Sequence, residues 1–309
     1  MKFSPFALLS SLSFALSASA GGHSHGHIPS GAITVGTGGK YPNLTVALGD
    51  TSSNIFYVFA GNYTGQTLIN RPNVTIYGET TTPLSYLGNK VTLSVNMPAS
   101  IAGSNDKSGT VRVNATGVKL YNLDIENTYG LPVSQSQAIA LSVQAGNFGC
   151  YFCDLRGHQD TLLANRGYQV YAYSRILGSV DFIFGMYASI WITKSVVESD
   201  ISPLRVVIAV IQTGNAKNQT YFGRPWRASA RVVFQKSFIG DNVYPAGWSQ
   251  WQATDPRTDY ILFGEYGNFG PGAWKATARA PFATLLNASI SIETVLGSNY
   301  TTWVDRRYI

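Results

Sequence analysis

Hydrophobic and polar positions alternate along this chain in short runs that are separated by Gly, Asn or Asp. Examples are VTIYGE (74–79), VTLSVN (91–96), TVRVN (110–114), VKLYNLDIEN (118–127) and AIALSVQ (138–144). Alternation with a period of two predicts β-strands, and no long segment has the period of a helix. This spacing is compatible with a β-sandwich, a β-barrel or a β-helix.

An internal repeat favours the β-helix. When CYFCDLRGHQDTLL (150–163) is placed above YAYSRILGSVDFIF (171–184), an offset of 21 residues, similar residues coincide: Phe152 with Tyr173, Leu155 with Ile176, Gly157 with Gly178, Asp160 with Asp181, and Leu162 with Ile183. The same offset leads from Ile176 to Val197. A repeat of this length matches one coil of a parallel β-helix, in which each coil stacks its apolar residues on the last. The sequence therefore predicts an all-β, single-stranded parallel β-helix.

The same offset has a chemical consequence for Asp160 and Asp181. If they stack on adjacent coils, they lie on neighbouring strands about 4.8 Å apart. Two ionised carboxylates at about 5 Å repel by roughly 3 kcal/mol at an effective dielectric of about 20. That energy is enough to keep one protonated beside its ionised neighbour, an arrangement suited to acid–base hydrolysis. Two solvated turn aspartates are the alternative.

Composition narrows the class of protein. The 309 residues are 45% hydrophobic and only 12% charged, with 31 Gly and 18 Tyr, which fits a single domain of tightly turning β structure. The net charge of +6 would draw the chain toward an anionic polymer. Nucleic acids and acidic membranes fit that charge equally well, but no nucleic-acid motif is present, and we expect neither as a partner.

The amino terminus has the features of an export signal. Residues 1–20 carry one Lys, an apolar run and Ala18-Ser19-Ala20, which predicts a cleaved signal peptide and an extracellular protein. The run is too short and too rich in Ser for a membrane anchor. Residues 21–30 form a polar His-rich leader before a domain at 31–309. After cleavage, Gly21-Gly22-His23 could form a square-planar Cu(II) or Ni(II) site, and a disordered leader is the alternative.

Seven N-x-[ST] sequons predict glycosylation of an exported chain, although some are expected to be unused: Asn43, Asn62, Asn73, Asn114, Asn218, Asn287 and Asn299. The two cysteines, Cys150 and Cys153, are too few for a disulfide scaffold. In an extended segment their thiols would point to opposite faces, so a bridge would require a bend. A redox Cys-x-x-Cys site lacks its strand-to-helix context, and we predict buried packing thiols.

Four motifs stand in one order along the chain: SQAIAL (136–141), HQDTLL (158–163), VDFIFG (180–185) and GRPWR (223–227). Together they resemble the signature segments of secreted, fungal-type pectin methylesterases (pectinesterases). The resemblance implies a right-handed parallel β-helix and a carboxylic ester hydrolase. Such an enzyme removes methyl esters from the galacturonate units of pectin and releases methanol. It implies no cofactor or metal, and we expect a monomer.

The resemblance also implies roles for individual residues. Asp181 would be the nucleophile, and Asp160 the general acid that protonates methanol and then acts as a base toward water. Gln137 would donate to the developing oxyanion, and Gln159 would support the same intermediate. Arg224 would keep Asp181 ionised through a charge-assisted hydrogen bond. Gln137 in a side-chain ladder and Arg224 in a structural ion pair are the alternatives.

Three further residues are predicted to bind substrate. Trp226 in GRPWR would offer an apolar face to the sugar or its methyl group. PAGW (245–248) and Trp251 resemble the family's aromatic segment beside the cleft, and Trp248 is the candidate there for contact with a sugar ring. Packing roles are the alternatives for both. His158 stands where the family usually has an aromatic residue. It could still stack on sugar, and it would add a group that titrates near neutral pH beside the acid, giving an unusual acidic limb in the pH–rate profile.

One departure from the family is larger. Between Glu198 and Arg224 the chain lacks the family's segment resembling Ile-Thr-Ala-x-Gly-Arg and is about one coil short. The loss could tilt Arg224 away from Asp181, and about 1 Å of misplacement can cost roughly a hundredfold in rate.

Two rival functions follow. One is a catalytically impaired, pectin-binding homologue. The other is a glycoside hydrolase on the same polymer, since a carboxylate pair about 5 Å apart also suits retaining glycosidases.

Overall fold

The computed structural model describes residues 28–131, 136–200 and 217–309, with the backbone of 206–207 and 211–212. The predicted signal peptide and the Gly21-Gly22-His23 site lie outside the described residues. The described chain winds into successive coils of parallel strands and confirms the predicted right-handed parallel β-helix. The division at residues 20 and 30 stays a prediction. Within the described part of the chain, no helix is long and apolar enough to cross a membrane.

Three parallel sheets form the sides of the β-helix. The first sheet contains, in spatial order, β1 (Ile33–Val35), β2 (Ile55–Val58), β5 (Thr75–Gly78), β8 (Lys119–Tyr121), β11 (Phe148–Tyr151), β14 (Arg166–Ala172) and β17 (Tyr187–Thr193). The second contains β16 (Ile183–Phe184), β13 (Leu162–Ala164), β10 (Leu141–Val143), β7 (Val111–Val113) and β4 (Thr67–Ile69). The third contains β20 (Ile211–Gln212), β18 (Val196–Ser199), β15 (Arg175–Gly178), β12 (Asp154–Arg156), β9 (Asp124–Asn127), β6 (Val91–Val95) and β3 (Gly61–Thr64).

The remaining elements are short. Two small sheets complete the β structure, one of β19 (Val206–Val207) and β21 (Thr220–Tyr221), the other of β22 (Arg231–Gln235), β23 (Leu262–Tyr266) and β24 (Ala283–Leu285). The α-helices are α1 (Leu44–Ala47), α2 (Ala99–Ala102), α3 (Asn105–Ser108) and α4 (Ile292–Leu296), and 3₁₀ turns occur at Tyr86–Gly88, Tyr300–Thr302 and Arg306–Tyr308. Helix α4 packs against β17 on the outside of the first sheet.

The core is a stack of apolar side chains that repeats coil by coil. In the third sheet Leu93 pairs with Ile125, Ile125 with Leu155, Leu155 with Ile176, and Ile176 with Val197. All five side chains are buried. Each strand buries alternate residues because successive side chains point to opposite faces of a strand. The register from Leu155 onward confirms the predicted offset of 21 residues.

A single residue with positive φ turns the chain between the first and third sheets. It is Asn122, Phe152 and Tyr173 in successive coils, with φ of 52°, 56° and 51°. The Phe152 and Tyr173 rings stack with centroids 5.2 Å apart. The bend at Phe152 lets Cys150 and Cys153 both point into the core, where they are buried free thiols. This confirms the prediction that they pack.

The step from β18 to β20 is shorter than a full coil. Glu198 pairs with Ile211, only 13 residues on, whereas the two preceding coils step by 21. Strand β21 then returns the chain to the body of the β-helix, where Gly223 pairs with Trp248. The shortening therefore lies between β18 and β21.

Candidate active site

Asp160 and Asp181 meet because each lies two residues before a strand of the second sheet. Gln159 pairs with Val180 and Leu162 pairs with Ile183, so the two aspartates are partners in the same register. Both have left-handed backbone conformations, with φ of 69° and 44°. Such a conformation costs a non-Gly residue about 1–2 kcal/mol. The ladder bond from Asp160 N–H to Val180 O, 3.0 Å long, helps to hold it.

Asp160 is buried. Only 5% of its surface is exposed, and its Oδ2 accepts a hydrogen bond of 3.1 Å from Asn105 Nδ2. Burial, together with the nearby charge of Asp181, raises the pKa of Asp160 well above its usual range, while Arg224 opposes the shift. Asp160 is therefore suited to carry a proton at a pH where a free aspartate would have lost it.

Asp181 has the opposite environment, since it pairs with a cation. Arg224 Nε donates to Asp181 Oδ1 over 3.2 Å, and Arg224 Nη2 donates to Oδ2 over 2.5 Å. The two side chains are about a quarter exposed (25% for Asp181 and 29% for Arg224). A bidentate ion pair of this kind favours the ionised carboxylate. The shortened coil before Arg224 has not separated it from Asp181, contrary to the displacement considered from the sequence.

An aromatic residue holds the other side of Arg224. The guanidinium carbon of Arg224 lies 4.5 Å from the centroid of the Trp251 ring, and that of Arg257 lies 4.9 Å from it. Arg257 is fixed in turn by a salt bridge of 2.7 Å to Asp255 and by a hydrogen bond to the carbonyl of Trp226. Trp251 thus restricts the guanidinium that binds Asp181.

The structure corrects the prediction for Trp248. Its side chain is 1% exposed and stacks on Phe263 at 4.4 Å between ring centroids. Its Nε1 donates to Glu265 Oε1 over 3.2 Å, and Glu265 is also bound by Arg279. Trp248 lies in the core because it stacks on Gly223 of the preceding coil with its ring directed inward. A ring with so little exposed surface has no face for a sugar.

The two glutamines have different surroundings. Gln159 Oε1 accepts a hydrogen bond of 3.1 Å from Ser136 Oγ, which leaves the Nε2 amide to donate elsewhere. The backbone carbonyl of Gln137 accepts from Ala99 N–H over 2.7 Å. The Gln137 side chain makes no hydrogen bond to the residues that the structure describes, so its amide also has free donors.

Trp226 and His158 lie at the margins of the aspartate pair. Trp226 is half-buried and meets Phe184 edge-on, with ring centroids 5.8 Å apart. His158 lies two residues before Asp160, with Nδ1 3.3 Å from Ser179 Oγ and 3.7 Å from Asp200 Oδ2. It lines a groove of about 280 Å³ on the third-sheet side. Whether either residue contacts a sugar stays a prediction.

The site thus contains a buried carboxyl group beside a carboxyl group that is paired with Arg224. Over residues 28–131, 136–200 and 217–309, no cluster of three His, Cys, Asp or Glu side chains is arranged to hold a metal ion. The sequence motifs missed Asn105 and gave Trp251 no role. Asn105 is 55 residues from its partner and belongs to none of the four motifs. The sequence places Trp251 close to Trp248, but it does not indicate which of the two rings contacts Arg224.

The chain is similar to known proteins over most of its length. The pectinesterase family model matches residues 44–205 and 205–289. A pectinesterase from Aspergillus aculeatus is 37% identical over 332 aligned residues, covering 97% of this chain and 98% of that protein. The chain belongs to the pectinesterase family. A pectinesterase from Aspergillus niger is 35% identical and covers 91% of this chain and 93% of that protein.

Solved structures of the family share the fold. The pectin methylesterase from Aspergillus niger, in deglycosylated form, superposes with a TM-score of 0.82 at 34% identity and covers 91% of this chain and 99% of that one. The carrot pectin methylesterase has a TM-score of 0.75 at 21% identity, over 88% of this chain and 94% of that one. The two family matches meet at residue 205, within the shortened segment. The Aspergillus aculeatus alignment exceeds the 309 residues of this chain, so that pectinesterase has residues without counterparts here.

Proposed function

We propose that this chain hydrolyses the methyl esters of galacturonate units in pectin, with Asp181 as nucleophile and Asp160 as general acid and base. The observation that carries the proposal is the pair of register-matched aspartates in opposite environments. Asp160 is buried beside an amide donor, and Asp181 is paired with Arg224. Titratable neighbours whose environments differ in this way divide acid and nucleophile roles between them.

The first half of the reaction forms an acyl-enzyme. A carboxylate oxygen of Asp181 attacks the ester carbonyl carbon, and the developing oxyanion accepts hydrogen bonds from the Gln137 and Gln159 amides. Asp160 donates its proton to the methoxy oxygen as the bond to carbon breaks, so methanol leaves as a neutral molecule. The galacturonyl group is then joined to Asp181 as an anhydride, and Asp160 is ionised.

The second half restores both aspartates. The Asp160 carboxylate accepts a proton from water as that water attacks the galacturonyl carbon. The anhydride bond breaks, the Asp181 carboxylate leaves, and the product is a free galacturonic acid that ionises in solution. Arg224 pairs with Asp181 at the start and end of the cycle, when that side chain carries its charge.

Product analysis on highly methylated pectin tests the reaction class. We expect the wild-type protein to release methanol without creating new reducing ends. New reducing ends would indicate a glycoside hydrolase, and pectin binding without methanol release would indicate an impaired homologue. Glu293→Gln, which changes an exposed carboxylate on α4, is a matched control that should release methanol at the wild-type rate.

We also infer that the protein is exported, glycosylated and monomeric. Residues 1–20 have the features of a signal peptide. The sequon asparagines are exposed except Asn43, which is half-buried and caps α1. Expression in a secreting host should yield a protein in the medium that loses mass on deglycosylation and has a monomer's mass by light scattering. An intracellular, unglycosylated product with residues 1–20 retained would contradict the first two inferences.

A further inference from the structure

Asn105 reaches Asp160 from a different coil of the β-helix. It is the first residue of α3, and its Nδ2 donates to Asp160 Oδ2 over 3.1 Å. Helices α2 and α3 lie in the long connection between β6 and β7, in a coil where Leu93 pairs with Ile125 rather than with a residue 21 positions on. The extra residues of that coil allow the chain to extend to the buried carboxyl group.

The connection is fastened on both sides of Asn105. Ser104 accepts a hydrogen bond from Lys107 N–H at the start of α3, and Ser108 Oγ donates to the carbonyl of Asn105 over 2.7 Å. Asp106 accepts from Arg112 over 2.5 Å and from Ser142 Oγ over 2.7 Å, which fixes α3 to β7 and β10. The backbone on both sides of Asn105 is therefore held in place by bonds that do not involve Asp160.

The bond distinguishes the two oxygens of Asp160. An amide N–H can only donate, so Oδ2 is the oxygen that accepts. In the acid form of a carboxyl group, the carbonyl oxygen is the better acceptor, and the proton then belongs on Oδ1. When Asp160 is ionised, the same amide stabilises its negative charge. One donor can thus orient the acid in the first half-reaction and stabilise the base in the second.

We propose that Asn105 is a positioning residue that keeps Oδ2 of Asp160 as the acceptor and leaves Oδ1 to transfer the proton. This inference rests on the function proposed above, since it assigns Asn105 a role only through the acid–base cycle of Asp160. Asn105 lies outside the four family motifs, in the connection between β6 and β7 that contains α2 and α3. Substitutions in that connection would therefore change catalysis without altering any of the four motifs.

The pH dependence has a definite sign. The charged groups around Asp160 are Asp181 and Arg224, while Asp106 beside Asn105 is neutralised by Arg112; His158 precedes Asp160 by two residues. Loss of the Asn105 donor destabilises the ionised form, so the pKa of Asp160 rises further. A general acid is active while protonated. The limb of kcat/KM that falls as Asp160 ionises should therefore move to higher pH.

The decisive experiment is a double-mutant cycle between Asn105→Leu and Asp160→Asn, measured as methanol release from methylated pectin. Leu has the same branched arrangement of side-chain heavy atoms but no donor. We expect Asn105→Leu to lower kcat about 10- to 100-fold, the range for a hydrogen bond to a charged group, with KM changed by less than about twofold. In the Asp160→Asn background the same change should have no further effect on the residual rate. Lys107→Ala, an exposed side chain on α3, should match the wild type.

Three results would overturn the inference. Equal losses from Asn105→Leu in both backgrounds would mean that Asn105 acts independently of Asp160, as a structural residue would. An unchanged kcat in Asn105→Leu, with Asp160→Asn inactive, would reject Asn105 while leaving the proposed function intact. A wild type that releases no methanol would reject both proposals. Thermal unfolding of each variant, together with a shift of the alkaline limb in Asn105→Leu alone, separates misfolding from lost positioning.

Discussion

The burial of Trp248 predicts that its removal damages stability rather than substrate affinity. Trp248→Ala removes a ring that stacks on Phe263 at 4.4 Å and also contacts Phe222 at 5.2 Å between centroids. Truncation of a buried aromatic ring costs about 3–5 kcal/mol. The lost bond to Glu265 adds about 1 kcal/mol, since Arg279 still binds that carboxylate.

A loss of this size should lower the midpoint of thermal unfolding by on the order of 10 °C. The assay is thermal unfolding followed by circular dichroism, alongside kcat and KM for methylated pectin well below the transition. We expect Trp248→Ala to keep a wild-type KM in its folded fraction. Trp226→Ala is the contrasting variant, because that half-buried ring borders the site and should raise KM with little loss of stability.

The reasoning would be refuted if Trp248→Ala raised KM several-fold while its unfolding midpoint stayed within about 2 °C of the wild type. That outcome would mean that the ring is accessible to the sugar chain after all. Trp248→Phe gives an internal check, since it retains a stacked ring but loses the donor to Glu265. Its midpoint should fall between those of the wild type and Trp248→Ala.

Three other predictions concern residues around the aspartates. Because the folded-state pKa of Asp160 is raised, ionisation of this residue destabilises the fold progressively above about pH 4, by about 1.4 kcal/mol per unit of pKa elevation. The unfolding midpoint of Asp160→Asn should therefore match that of the wild type near pH 3 and exceed it increasingly toward pH 8. A difference in midpoint that is independent of pH would contradict this. Trp251→Ala should lower kcat about 2- to 30-fold, because Arg224 loses the aromatic ring against which it packs. Single-turnover kinetics would measure this change, and an unchanged rate would show that Arg224 needs no such support. His158→Tyr should remove an acidic limb from the pH–rate profile, and identical profiles would exclude a titrating role for His158.

The repeat of 21 residues made much of the fold predictable from the sequence. In a β-helix each coil stacks directly on the last, so a period along the chain becomes a neighbour relation in space. For this reason the offset that aligned Leu155 with Ile176 also aligned Asp160 with Asp181. The pairing of Arg224 with Asp181 came instead from resemblance to the family, because no period relates residues 43 positions apart.

The remaining site residues depend on geometry that no motif encodes. Trp248 and Trp251 are three residues apart in one aromatic segment, yet the first lies in the core and the second lies against Arg224. Asn105 lies in the connection between β6 and β7, and it reaches Asp160 because that connection is long, not because of any sequence pattern in it. The shortened coil after Glu198 was visible in the sequence. Its effect on Arg224 was not, because the position of that side chain depends on how β21 pairs rather than on the number of residues before it.

Methanol release from highly methylated pectin by the wild type and by Asp181→Ala tests the central claim most directly. The account predicts release by the wild type and loss of at least about a thousandfold in the variant, since the nucleophile is absent while Asp160 and the fold remain. The variant should still bind pectin and unfold cooperatively. Comparable release by a folded Asp181→Ala would contradict the assignment of the nucleophile, and with it the division of roles between the two aspartates.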